Sequence, residues 1–236
     1  MRALLKKTAT LVVIIVLVNS INVRAQTSIG VKIGANFAKM SFDDNFGVNE
    51  QISNSTLTDI NVGIPFEIRF SKVIAIQPEI NYIGKGTSQV VKGYQNNGTE
   101  WESYESVSKI RLGYMEVPFL LKLGVNKEKF GVNVLLGPSF GMLTRIAYQF
   151  ESNSTNSSGQ TQSSSDSESM LIGSQNFEYG FDVGANLGLE FSLPLGPGKL
   201  FTEARYQYSK TFLDGTSLTH MGIQGVIGYR IPFSAF

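Results

Sequence analysis

From residue 26 onward, apolar and polar residues alternate along most of the chain. In residues 177–191 every second side chain from Phe177 to Phe191 is apolar, and the residues between them are glycine, asparagine and acids. Such period-two alternation places one set of side chains on each face of a β-strand. It predicts eight strands, at about 28–40, 59–70, 73–84, 108–123, 129–148, 177–191, 199–209 and 218–233.

The connections between these predicted strands are alternately short and long. The sequences "SK", "GVNKEK" and "PLGPG" are short, whereas the connections at about 41–58, 85–107, 149–176 and 210–217 are long. Barrels of the outer membrane combine short periplasmic turns with long extracellular loops. The pattern therefore predicts an all-β fold, an eight-stranded antiparallel transmembrane up-and-down β-barrel. Its longest loop is rich in serine and low in complexity, and we expect it to be mobile outside the cell.

Alternation alone does not decide which face of the barrel points inward. In a soluble ligand-binding barrel the apolar face lines the lumen, whereas in a membrane barrel it contacts lipid. The predicted strands of 10–16 residues are long enough for a bilayer, which needs about 9–11. Aromatic residues at both strand ends are typical of the two membrane interfaces. They are Tyr82, Tyr148, Tyr179 and Tyr208 near the long loops, and Phe70, Phe130, Phe191 and Phe233 near the short turns.

With the apolar face outward, charged residues of both signs fill the predicted lumen. The cations are Lys32, Arg69, Lys122, Arg205 and Arg230, and the anions are Glu67, Glu79, Glu116, Asp182, Glu190 and Glu203. An eight-stranded barrel is only wide enough for side chains to fill it. Buried charges must be paired. The lumen is therefore predicted to hold an ion-paired plug rather than an open pore, and a solvated outer face is the alternative.

Two strands carry a proline at matching positions. The sequence "GIPFEIRF" at 63–70 aligns with "EVPFLLKL" at 116–123, so Pro65 corresponds to Pro118. Proline has no amide hydrogen to donate to a neighbouring strand. We predict a local defect in strand pairing at both prolines, at a bulge or a strongly coiled point.

Composition narrows the chemistry. Net charge is +1, cysteine is absent and His220 is the single histidine, which disfavours nucleic acid as a partner and excludes thiolate or histidine-rich metal sites. Residues 1–25 have a basic start, an apolar stretch and a small residue before Gln26, as in a cleaved signal peptide. An uncleaved anchor is the alternative. The predicted domains are a signal peptide at 1–25 and a barrel domain at 26–236.

Several segments, in order, resemble one protein family. They are "GVKIGANFAKM", "IQPEINYIGKG", "YMEVPFLLKLG", "LLGPSFGML", "FDVGANLGLEF" and "EARYQYS". Together they are similar to the PorT-like outer-membrane β-barrel proteins of Bacteroidetes-type bacteria, over nearly the whole chain after residue 25. The resemblance implies an eight-stranded barrel in the cell outer membrane of a Gram-negative bacterium. It supplies no catalytic residues, and the founding member's association with protein secretion does not transfer by fold alone.

Three functional hypotheses remain open. The first is a non-enzymatic barrel with a structural role or a partner-binding role through its long loops, whose tips carry Asp43, Asp44, Trp101, Tyr104 and Asp166. The second is an enzyme acting on lipid or protein through His220, near Asp214, Ser217 and Thr219. The third is a narrow solute channel.

For the first of these, we predict no catalytic, cofactor-binding or metal-binding residues and no cofactor. The expected partners are outer-membrane lipid and an envelope protein or secretion-associated complex.

Overall fold

The computed structural model describes residues 26–41, 51–96, 101–174, 179–213 and 216–233. The predicted signal peptide, Asp43, Asp44 and Asp214 lie outside these ranges. Nine strands are present in the described part of the chain. They are β1 (Gln26–Ser41), β2 (Gln51–Arg69), β3 (Ile74–Asn96), β4 (Trp101–Asn126), β5 (Gly131–Thr155), β6 (Thr161–Leu171), β7 (Gly180–Leu195), β8 (Gly198–Leu213) and β9 (Thr216–Pro232).

Eight of these strands close into a ring. Every pairing is antiparallel, and the order around the ring is β1-β2-β3-β4-β5-β7-β8-β9, with β9 returning to β1. The remaining strand, β6, pairs with residues 145–155 at the carboxyl end of β5 and is not part of the ring. This closed ring of eight antiparallel strands confirms the predicted barrel. Closure leaves no free strand edge within the ring.

The barrel has its apolar residues outside and its polar residues inside. On β4, Met115, Val117, Phe119, Leu121 and Leu123 are exposed, whereas Glu116 and Lys122 are buried. On β5 the exposed apolar residues run from Val132 to Met142, the length that crosses a bilayer. This arrangement confirms the predicted orientation of the two faces. No helix in the described ranges is long and apolar enough to span a membrane.

The strands on one side of the barrel continue well beyond it. A protruding sheet is formed by the ends of β2, β3, β4 and β5 that lie away from the short turns, together with β6. We call it the extracellular sheet, and it consists of residues 51–57, 85–96, 101–112, 145–155 and 161–171. The loops predicted at 85–107 and 149–176 are therefore largely strand, and that part of the prediction is wrong. Beyond the residues nearest the barrel, the side chains on both faces of these segments are partly or fully exposed, so apolar alternation does not mark them. Pairing to neighbouring strands maintains them.

Proline interrupts the ladder on four neighbouring strands. Pro65, Pro78, Pro118 and Pro138 each pair with the next strand around the barrel but lack the pair with the preceding strand. The defects predicted at Pro65 and Pro118 are confirmed. The register is unchanged across each gap, so they are interruptions and not bulges. Two register shifts occur elsewhere, at Thr56/Asn61 and at Gly113/Tyr114.

Close approach of two backbones explains Gly34 on β1. A Cβ atom there would overlap the carbonyl oxygen of Gly225 and lie 2.6 Å from Cα of Val226. Backbone atoms of a paired strand yield less readily than a side chain does. Replacing Gly34 by alanine is expected to lower the free energy of unfolding by about 1–3 kcal/mol, the usual cost of overpacking.

The matched control is Gly225→Ala on β9, because a Cβ at Gly225 meets nothing within 4 Å. We expect that variant to stay within about 0.5 kcal/mol of the parent. Urea unfolding of both refolded barrels in micelles measures the difference. Equal stability of the two variants would contradict the close approach at Gly34.

Candidate functional site

The lumen contains stacked layers of ion pairs, and the layer nearest the short turns is centred on Lys122. Its ammonium group donates to Glu67 at 2.5 Å, Glu190 at 2.5 Å and Gln77 at 2.9 Å. Arg230 binds the Glu190 carboxylate through both terminal nitrogens, at 2.9 and 2.5 Å. All three donors of Lys122 are thus satisfied, as a charge removed from water requires.

The next layer joins two carboxylates to two cations. Arg205 binds both oxygens of Glu79, at 2.8 and 2.5 Å, and also bonds to Glu203. Lys32 donates to Glu79 at 2.6 Å. The layer carries no net charge, and all four side chains are at most 4% exposed.

A third layer contains a cation that the sequence analysis missed. Lys85 donates to Asp182 at 2.6 Å and to Ser209 at 3.0 Å, and its ammonium lies 2.9 Å from Glu116. Lys85 lies one residue beyond the predicted end of its strand, at 84, so it falls in the predicted connection 85–107. Its inward alternation with Asn81 and Ile83 was the signal available. With Lys85 added to the five predicted cations, six cations and six anions take part in the ion pairs of the lumen, and the predicted ion-paired plug is confirmed.

Apolar side chains fill the lumen above the ion pairs, toward the extracellular sheet. They are Met40, Ile83, Leu112, Tyr114 and Leu143, and each is at most 3% exposed. This apolar cap and the ionic layers below it leave the lumen densely occupied in the described part of the chain. That packing gives no support to the narrow channel considered above.

His220 faces the lumen between the ionic layers and the apolar cap. It is 2% exposed, and its Nε2 lies 3.0 Å from Thr211 Oγ1 and 3.4 Å from Tyr114 Oη. Ser217 and Thr219 lie on the opposite face of β9, since neighbouring residues alternate. Nδ1 has no hydrogen-bond partner among the described residues. The environment of His220 is therefore that of a packed side chain.

No cluster of metal-binding side chains is present in the described ranges. They contain no group of three or more histidine, cysteine, aspartate or glutamate residues placed to hold an ion. The acids of the lumen are instead bonded to lysine, arginine and amide nitrogens. The expected lack of a metal site stays a prediction.

The extracellular sheet exposes an unpaired edge. Strand β6 is bonded to β5 on one side, and no described strand pairs with its other side. Asp166, proposed above as a loop tip, is exposed on β6, and Trp101 and Tyr104 lie on β4. A shallow groove of about 380 Å³ lies against the paired strands β5 and β6 and is lined by Gln149, Phe150, Glu151, Ser165, Asp166 and Ser167.

Comparison with solved structures gives distant likenesses. Ail, the attachment invasion locus protein of Yersinia pestis, is 16% identical with a TM-score of 0.37, and the match covers 87% of this chain and 99% of Ail. The outer membrane protease OmpT from Escherichia coli is 7% identical, with a TM-score of 0.43 and coverages of 88% and 97%. OprG from Pseudomonas aeruginosa is 10% identical, with a TM-score of 0.38 and the same coverages. Likenesses this distant say nothing about function.

Family membership rests on a different comparison. No curated protein matches the sequence. A family model described as the outer membrane protein beta-barrel domain matches residues 23–210, well over half of the chain. Its description agrees with the closed ring, the apolar exterior and the ion-paired lumen. The chain belongs to the outer membrane protein β-barrel domain family and is located in the outer membrane of a Gram-negative bacterium.

Proposed function

We propose that the protein is a non-enzymatic binding protein that captures an extended, basic segment of another protein on its extracellular sheet. The observation that carries this proposal is the unpaired outer edge of β6. A strand edge offers a row of free amide and carbonyl groups, and an extended peptide adds to it by main-chain hydrogen bonds. At about 3.4 Å per residue, the 11-residue β6 offers roughly 37 Å of edge.

The charge of the hairpin formed by β5 and β6 indicates which kind of peptide segment would bind to it. Residues 149–174 contain Glu151, Asp166 and Glu168 and no lysine or arginine. Glu151 has a cation, Lys109, at 3.8 Å on β4, whereas Asp166 and Glu168 are exposed on the edge strand itself. Opposite charges across paired strands stabilise the pairing, and like charges oppose it. A segment rich in lysine or arginine therefore fits this edge better than an acidic one.

Serine dominates the edge strand, in the sequence "TQSSSDSESML". The short hydroxyl side chains leave the backbone accessible, and the negative charges of Asp166 and Glu168 oppose pairing of β6 with a second copy of itself. This composition suits a surface that receives a strand from a partner and does not aggregate with its own copies.

We also propose the finer assignments that agree with this function. The sequence segments quoted above support a PorT-like member of the family from a Bacteroidetes-type bacterium, with residues 1–25 as a signal peptide. The buried setting of His220 supports a non-enzymatic role. An envelope protein or a secretion-associated complex would supply the extended segment.

Synthetic peptides of about ten residues test the proposal directly. The first alternates lysine with threonine, the second alternates glutamate with threonine, and the third repeats the lysine peptide with every backbone nitrogen methylated. The protein is placed in nanodiscs and binding is followed by fluorescence anisotropy. We expect saturable binding of the first peptide only, because the third keeps the charge but cannot donate the ladder hydrogen bonds.

Charge reversal on the edge strand is the matching protein variant. Asp166→Lys combined with Glu168→Lys is expected to weaken binding of the lysine peptide at least about tenfold. Glu105→Lys makes the same kind of change on β4, inside the extracellular sheet, and is expected to have little effect. Equal binding of the methylated and unmethylated peptides would show attraction by charge alone and would refute strand addition.

A further inference from the structure

A cavity lies at the periplasmic end of the barrel, below the ionic layers. Its volume is about 160 Å³, and its lining includes Ser28 of β1, Glu67 and Arg69 of β2, Lys199 of β8 and Arg230 of β9. We infer that this cavity binds a phosphate group, entering from the periplasmic side. Nothing in the family description or in the proposed extracellular role assigns a site at this end of the barrel.

Two arginines that line this cavity each have a donor without a hydrogen-bond partner in the described ranges. The side chain of Arg69 is 10% exposed, and its Nη1 has no hydrogen-bond partner in the described ranges, although its other nitrogens bind Glu67 at 2.8 and 3.0 Å. Nε of Arg230 is likewise buried without a partner. A buried charged donor left unpaired is costly, and a bound oxyanion would satisfy it.

Lys199 is the third cation at the cavity. It lies on β8 with the inward parity of Phe201 and Glu203, and its side chain has no ion-pair partner among the described residues. The other lumenal lysines each have a carboxylate within 3 Å. Lys199 is thus the one described lumenal lysine whose ammonium is free for a ligand.

The balance of charge favours an anion with two negative charges. The cavity wall and the ion-paired layer bonded to it contain four cations and two carboxylates. The cations are Arg69, Lys122, Lys199 and Arg230, and the carboxylates are Glu67 and Glu190. The excess is two positive charges, whereas the Arg205 layer above is neutral. Arginine forks match phosphate oxygens well, and lysine adds a point charge.

Size and access agree with a phosphate group. At roughly 30 Å³ per water molecule, the cavity has room for about five waters, enough for a phosphate with part of its hydration. The Lys122 layer occupies the lumen above it, so a ligand must enter between the periplasmic turns. The phosphate would come either from the periplasm as a free ion or from the headgroup of a lipid in the inner leaflet.

Calorimetric titration of the full chain with inorganic phosphate tests this inference. The barrel is refolded in a maltoside detergent, which contains no phosphate, at low salt. We expect saturable binding with one site per chain, and at least about tenfold weaker binding for Lys199→Gln. Lys199→Gln breaks no ion pair among the described residues. Arg69→Gln is the second variant, and Glu67 keeps Lys122 and Arg230 when Arg69 is lost.

Lys72→Gln is the matched control, since Lys72 is exposed on the β2–β3 turn at the same end of the barrel and does not line the cavity. Repeating the titration in nanodiscs with phosphatidic acid distinguishes the sources. Loss of phosphate binding there identifies the lipid headgroup, and unchanged binding identifies the free ion. No saturable binding to the parent, or an equal loss in Lys72→Gln, would overturn the inference.

Discussion

Replacing Arg205 with methionine is expected to lower the free energy of unfolding by about 3–5 kcal/mol, as breaking a buried ion pair does. Arg205 is 2% exposed and bridges Glu79 and Glu203. Without it, two buried carboxylates share one remaining cation, Lys32, which is 2.6 Å from Glu79 but 3.9 Å from Glu203. Urea unfolding of the refolded barrel, followed by the mobility of unboiled protein on gels, measures the loss.

Two companion variants separate unbalanced charge from lost packing. Arg205→Met combined with Glu203→Gln leaves the close Lys32–Glu79 pair, and we expect it to recover most of the lost stability. Arg111→Met removes a partner of Asp59 at 3.5 Å in a partly exposed pair, where a change of about 1 kcal/mol or less is expected. If the double variant were no more stable than Arg205→Met, charge balance would not be the source of the effect.

Placing arginine at Leu187 is expected to cost about 2–4 kcal/mol, the penalty measured for a cation at the middle of a bilayer. Leu187 is 55% exposed on β7, and the outward apolar residues of that strand run from Phe181 to Leu193. Leu187 lies at the centre of this series and pairs with Leu136 of β5. In a water-soluble barrel the same substitution on an exposed residue would change stability little.

The control places the same charge outside the predicted bilayer. Tyr94 is 77% exposed on β3 in the extracellular sheet, so Tyr94→Arg is expected to leave stability within about 0.5 kcal/mol. Both variants are unfolded from lipid vesicles, where the bilayer supplies the penalty. A Leu187→Arg barrel as stable as Tyr94→Arg would contradict the lipid-facing assignment.

The sequence predicted the barrel well where one face of each strand is apolar. On β7, residues 181–193 alternate without interruption, and the structure pairs residues 181–192 on both sides in unbroken register. The charged residues of the opposite parity could be assigned to the lumen by the same alternation. Because a buried charge without a partner is costly, the ion-paired plug followed from that assignment.

The sequence predicted less where both faces of a strand contact water. Residues 161–171 have no apolar alternation, and their strand exists by pairing with β5, which only the three-dimensional register reveals. Lys85 was missed for a related reason, because apolar alternation fades at the point where its strand leaves the membrane. The cavity at the periplasmic end could not be predicted from the sequence either, because its lining comes from β1, β2, β8 and β9, which are far apart along the chain.

The four proline gaps divide the barrel wall into two unlike halves. The interfaces from β1 through β2, β3 and β4 to β5 each contain one proline gap, whereas those from β5 through β7, β8 and β9 back to β1 are unbroken. A missing hydrogen bond lowers the resistance of a strand pair to shear. The wall is therefore mechanically asymmetric. Lateral pressure from the bilayer would deform the compliant half, which also carries the extracellular sheet, while the continuous half keeps its shape.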